Sequence, residues 1–262
     1  MSEMIRGPYR TESGISYLSG GRGTHLLVLL HGLGSNSAVW QPMLQWVDRE
    51  WEGPWIAPDF SGHGSSAPCE TYSYEAYARE ILQLTAGADR ISILGHSMGG
   101  AVAMKLAAIA PPRLVESIAA LSVKLAFTED EIRFFQGRAA AEVAYLDSAT
   151  EAKQRYLKVS GLAGLVDTGS EVSERGIAAG DRGYRLAMDP KAFGIAADTL
   201  PSPNAATCKV MLATGSEDRI APPNEMRRLF ADSIVLEGLG HNAHVQDPEK
   251  VWRNLSPFLG PA

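Results

Sequence analysis

Apolar residues in this chain follow two habits. Short unbroken runs, such as His25-Leu26-Leu27-Val28-Leu29-Leu30 and Ile91-Ser92-Ile93-Leu94, are separated by longer stretches with apolar residues three and four apart, as in 74–84. A strand buried on both faces reads as a continuous apolar run, and a helix with one buried face reads with a period of about 3.6 residues. The pattern predicts strands over 25–30, 55–58, 91–94, 117–121, 209–214 and 233–237. Helices are expected over 38–46, 74–84, 98–110, 224–230 and 248–258, with Pro111-Pro112 stopping the third. Two short segments, 6–9 and 14–18, form an N-terminal hairpin in this reading. Strands alternating with helices imply an α/β fold with a mostly parallel sheet covered on both faces.

The alternation stops between 123 and 206. Helices are expected there over 129–140, 142–148, 151–159 and 171–178, with no strand. The simplest account is a helical insertion between two late strands. It would lie over the C-terminal edge of the sheet, where open α/β sheets bind ligands. The core is then 1–122 and 207–262, and the insertion is 123–206.

Composition narrows the function classes. The chain has 262 residues, 45% of them hydrophobic, and a formal charge of -6, which argues against nucleic acid or an anionic membrane as partner. Its start, Met1 to Tyr9, lacks the apolar centre of a signal peptide, and no apolar run reaches the roughly 18 residues of a membrane span. The expectation is a cytoplasmic protein, monomer or homodimer, acting on a small molecule. Cys69 and Cys208 read as free thiols. His25, His63 and His96 form no ligand set with them, so no metal is expected. No phosphate- or dinucleotide-binding glycine motif is present, so no cofactor is expected.

The chemistry concentrates at Gly95-His96-Ser97-Met98-Gly99-Gly100. A predicted strand precedes it and a predicted helix follows. A serine in G-x-S-x-G spacing at such a turn is lifted above the sheet edge as a nucleophile. A serine hydroxyl needs a base to take its proton and a carboxylate to orient that base. His241, beyond the last predicted strand in Gly238-Leu239-Gly240-His241, fits the base. His244 competes but reads better as a helix-start or buried histidine. Asp218, in Gly215-Ser216-Glu217-Asp218 after the strand at 209–214, fits the acid. Glu217 is the adjacent alternative. Neighbouring loop residues point different ways, so only one can face His241, and the longer spacing after Gly215 favours Asp218. Asp198, Asp232 and Asp247 suit an insertion end, a strand start and a helix cap. For the oxyanion, Met98 supplies one backbone N–H. Leu33, in His31-Gly32-Leu33-Gly34 after the strand at 25–30, supplies the second.

Together with Trp40, the HGLG, DFSGHGSS, GHSMGG, GSEDRIAPP and GLGHNAHVQDPEKV segments resemble the α/β-hydrolase superfamily, in its branch of small esterases, lactonases and carbon–carbon bond hydrolases. The resemblance covers about 9–122 and 209–259. It implies Ser97 as nucleophile, Asp218 as acid, His241 as base, and Leu33 and Met98 as oxyanion donors. It also implies that 123–206 is a substrate-selecting cap and that Asp59-Phe60-Ser61-Gly62-His63-Gly64 is a structural turn beneath the elbow. Within the insertion, Phe134, Phe135 and Met188 are expected to line the pocket, and Lys124 its mouth. Arg133, Arg182 and Arg185 could bind a carboxylate or simply form a solvated helix face. The expected activity is hydrolysis of a carboxylic ester or lactone through an acyl-enzyme. Carbon–carbon hydrolysis of a diketone, or a slow-turnover receptor on the same scaffold, is the alternative.

Overall fold

The computed structural model describes residues 6–260, so 1–5 and 261–262 at the ends of the expected core lie outside the description. Ten strands are present among the described residues. Eight belong to the core: β1 (Arg6–Arg10), β2 (Ser16–Gly20), β3 (His25–Leu30), β4 (Trp55–Pro58), β5 (Arg90–His96), β6 (Val115–Leu121), β9 (Lys209–Gly215) and β10 (Ile234–Leu236). The other two, β7 (Ile177–Gly180) and β8 (Gly183–Leu186), lie in the insertion. The core strands form one sheet in the order β1-β2-β4-β3-β5-β6-β9-β10. The N-terminal hairpin β1–β2 adds antiparallel to β4, and every pair from β4 to β10 is parallel.

Strand β3 shows why the core strands carry unbroken apolar runs. Successive side chains point to opposite faces. Leu27 and Leu29 join one apolar cluster with Trp40, Trp252 and Leu255, while Leu26, Val28 and Leu30 join another with Tyr77, Ile81 and Val102. The first cluster is closed by α1 (Gln41–Glu50) and α9 (Pro248–Leu259). The second is closed by α2 (Tyr74–Leu84) and α3 (Met98–Ile109). Two further helices, α7 (Pro223–Leu229) and α8 (Ala243–Gln246), flank β10 in the chain. The helix expected over 38–46 divides into a 3-10 turn, Ser37–Trp40, capped by the Asn36 side chain, and then α1.

The insertion departs from expectation. Three helices are present: α4 (Glu129–Ala139), α5 (Ala149–Val159) and α6 (Glu171–Arg175). Thr128 and Glu131 cap α4 reciprocally, and Ser148 and Ser170 cap the other two. No helix forms over 142–148; Leu146 bridges to Tyr184 instead. The helix expected to reach residue 178 stops at Arg175, because the next residues enter the β7–β8 hairpin. The hairpin is short and its residues are small or only half-buried, so alternation gives no signal. A 3-10 helix, Pro190–Ala197, capped by Asp189, likewise has no counterpart among the expected elements.

Buried polar contacts tie this segment to the core. Arg175 on α6 ion-pairs with fully buried Asp59 at 2.9 Å and donates to the Ser37 hydroxyl. Asn36 donates to the Tyr156 hydroxyl and the Val172 carbonyl, and Tyr72 donates to Asp189. Asp59 also accepts the Ser37 and Ser65 N–H groups. Burial pushes its pKa up, but Arg175, His31 and those two donors together outweigh burial and keep it ionised. The Asp59 turn is therefore structural, and it is also the anchor of the insertion.

Candidate active site

Strand β5 runs into α3 through Ser97, whose φ of 51° is rare for a residue with a side chain. The flanking glycines permit this. A Cβ on Gly99 would lie 2.3 Å from the Leu30 carbonyl oxygen, and one on Gly95 would lie 2.6 Å from the Gly100 nitrogen. Ser97 is thereby held at the C-terminal end of the sheet, where the loops after β3, β9 and β10 converge.

His241 arrives on the loop after β10, and its Nδ1 lies 3.0 Å from Oδ2 and 3.2 Å from Oδ1 of Asp218. An ionised carboxylate can only accept, so Nδ1 carries a proton, and Nε2 is the nitrogen left to act as acceptor in the neutral imidazole. Asp218 is buried and also accepts the Ile220 and Ala221 N–H groups and the Thr214 hydroxyl. Burial raises its pKa, but the bond and charge of His241 and the two backbone donors override this and bring it down to about 2. Neighbouring Glu217 is exposed.

His244, the competing histidine, sits in α8 within the core. Its ring lies 4.7 Å from Trp40 and 4.2 Å from His96, and neither ring nitrogen has a hydrogen-bond partner. Burial first, and then His241, lowers its pKa to about 3. The His96 ring is also buried, and its Nε2–H donates to the His241 carbonyl oxygen at 2.9 Å, bracing the backbone of that residue. Nothing in the sequence distinguishes this histidine from an ordinary elbow residue. On the β3 side, His31 donates from Nδ1 to the Gly32 carbonyl and accepts the Phe60 N–H at Nε2. It fixes the loop that carries Leu33.

Ser97, His241, Leu33 and Met98 line one cavity of about 370 Å³. The rest of its wall is mainly apolar. Phe127, Phe135, Val159, Phe193 and Ile195 come from the insertion, and Tyr74, Ala101 and Ile220 from the core. Asn242, beside His241, donates to the Gly161 carbonyl at 2.9 Å and joins the histidine loop to the insertion. Of the residues expected in the pocket, Phe135 and Lys124 are there; Lys124 pairs with Glu131 at 2.8 Å. Phe134 and Met188 are not, and both face a second cavity. Adjacent side chains leave a helix about 100° apart, and α4 is rotated so that Phe135 turns to the Ser97 cavity and Phe134 to the second one. Arg133 pairs with Glu129 and Asp130, Arg182 stacks on Tyr145 at 4.0 Å, and Arg185 donates to the Leu186 carbonyl; none lines the Ser97 cavity. Among the described residues no cluster suits a metal ion, and no helix is long and apolar enough to cross a membrane.

The family profile described as "Alpha/beta hydrolase family" matches residues 27–253. The chain belongs to the alpha/beta hydrolase family. Along nearly its whole length this hydrolase is similar to "Lipase LipV" of Mycobacterium tuberculosis, 28% identical over 258 residues, covering 92% of this chain and 96% of the lipase. It is similar to the same degree, 28% over 249 residues, to a "2-(acetamidomethylene)succinate hydrolase" of Mesorhizobium japonicum, covering 89% of this chain and 87% of the relative. A solved structure of E-2-(acetamidomethylene)succinate hydrolase superposes with a TM-score of 0.77 at 24% identity, over 97% of this chain and 98% of that one. Other curated relatives match over less: the chain spans 28% of the length of uncharacterized mycobacterial proteins that are 38% identical over 99 residues.

Proposed function

We propose that this hydrolase cleaves a carboxylic ester or lactone of modest size through an acyl-enzyme on Ser97. The observation that carries this reading is the His241–Asp218 pair, with the His241 ring on the same cavity as Ser97. His241 Nε2 takes the Ser97 proton as Oγ attacks the carbonyl carbon. Asp218 holds the ring in that tautomer and stabilises the imidazolium. The tetrahedral oxyanion is received by the Met98 and Leu33 N–H groups, and each such donor contributes about 3 kcal/mol to transition-state stabilisation. The leaving alcohol takes the proton from His241. Water, deprotonated by the same nitrogen, then releases the acid and restores Ser97. In this reading 123–206 is a cap: it supplies the apolar wall that selects the acyl group. The whole-length similarity to a lipase supports ester chemistry.

Hydrolysis of short p-nitrophenyl esters by the wild type and Ser97→Ala tests the proposal. The variant should lose at least about 10³-fold in kcat, and equal rates would overturn the assignment. A second reading, attack by Ser97 on a bond other than an ester, draws on the similarity to 2-(acetamidomethylene)succinate hydrolase. Turnover of a β-diketone or enamide panel without ester turnover would favour it.

A further inference from the structure

Two cavities of similar size meet at a single side chain. The first is the 370 Å³ cavity over Ser97; the second, about 380 Å³, lies within the insertion between α4, Met188 and the 3-10 helix Pro190–Ala197. Among the described residues, Phe193 alone lines both. Its ring is almost fully buried and held from several sides. Phe135 stacks on it with centroids 6.0 Å apart at 25°, the Arg138 guanidinium lies 4.6 Å from its centroid, and Met188, Ala192 and Val159 pack around it. These contacts hold the ring in place between the two cavities.

We propose that Phe193 is the partition that sets how long an acyl group the Ser97 site accepts. The second cavity is the room its ring denies to longer chains. The proposal rests on Ser97 being the acyl-accepting nucleophile. Straight-chain acyl esters are the substrate class that reads it, because apolar side chains flank Phe193 in both cavities: Phe135, Val159 and Ile195 in the first, and Leu186, Met188 and Pro190 in the second, where Arg138, Glu142 and Arg155 join Phe134 and Val143 on the rim. A methylene that gains or loses an apolar pocket changes kcat/KM by about tenfold or more. A partition that removes room for several methylenes therefore dominates chain-length preference.

The test is kcat/KM for p-nitrophenyl butanoate, hexanoate, octanoate and decanoate with the wild type, Phe193→Ala, Phe193→Leu and Phe134→Ala, with thermal unfolding recorded for each. The wild type should favour the shorter esters. Phe193→Ala should raise the decanoate-to-butanoate ratio by at least about tenfold, and Phe193→Leu should move it in the same direction by less. Phe134→Ala, at a residue that lines the second cavity and not the Ser97 cavity, should keep the wild-type preference. If Phe193→Ala does not fold, Phe193→Leu decides. An unmoved ratio in the folded variants, or a wild type that already prefers decanoate, overturns the partition. Failure here is distinct from failure of the parent reading: hydrolysis that still depends on Ser97 with an unmoved chain-length preference sinks only the partition, whereas hydrolysis indifferent to Ser97→Ala sinks both.

Discussion

Two histidines three positions apart, His241 and His244, have opposite fates because their surroundings differ. His241 is partly open to the cavity and hydrogen-bonded to a buried carboxylate; His244 is wedged between Trp40 and His96 with no polar partner. Burial without a partner disfavours charge, and a group that stays neutral to about pH 3 is a poor proton shuttle at neutral pH. His241→Ala should therefore lower kcat on the ester substrate by about 10³-fold or more. His244→Phe, which refills the aromatic stack and removes two unpaired nitrogens, should keep the wild-type rate and unfold no earlier. Steady-state kinetics alongside thermal unfolding checks both, and a comparable rate loss in His244→Phe would reopen the choice of base.

At the level of elements, the elbow and the Arg175–Asp59 tie do separate work. The elbow exists because β5, its turn and α3 crowd so tightly that only glycine fits beside Ser97. The tie joins α6 of the insertion to the loop after β4, with a side-chain exposure of 9% for Arg175 and none for Asp59. Removing one partner of a buried pair leaves an uncompensated charge, so Arg175→Ala should cost about 3–5 kcal/mol of stability. Urea denaturation measures this. A loss below about 1 kcal/mol would mean that solvent reaches Asp59 once the arginine is gone.

Across the whole molecule, His31, His63, His96 and His244 are all held below the ordinary value of 6.5, with burial as the largest cause in each. The unfolded chain binds protons on these rings at pH values where the folded chain does not. Stability should therefore decline as pH falls below about 6.5 and keep declining toward the folded values, near 3 for His63 and His244. Each ring contributes roughly 1.4 kcal/mol per pH unit inside its own window. Asp218 works in the other sense. Its depressed pKa supplies stability above the ordinary carboxylate range, and that is lost only as pH falls toward about 2. The histidines should thus govern the acid limit first. Unfolding temperatures across this pH range test it, and a flat profile between neutrality and about pH 5 would refute it.

Much of the molecule is legible in one dimension. Burial on both faces writes β3 and β5 as apolar runs, a strained turn demands its glycines, and the loops after two late strands carry Asp218 and His241 at the same sheet edge. Those signals are local, and each follows from a few neighbouring residues. The β7–β8 hairpin and the 3-10 helix Pro190–Ala197 are too short and too mixed in polarity to carry a period. The separation of Phe134 from Phe135 depends on how α4 is rotated against its neighbours, and the neutrality of His96 and His244 on burial among rings brought from distant parts of the chain. Phe193 owes its place between two cavities to segments far apart in sequence. Such relations arise from packing across long sequence separations, for which hydrophobic pattern has no symbol.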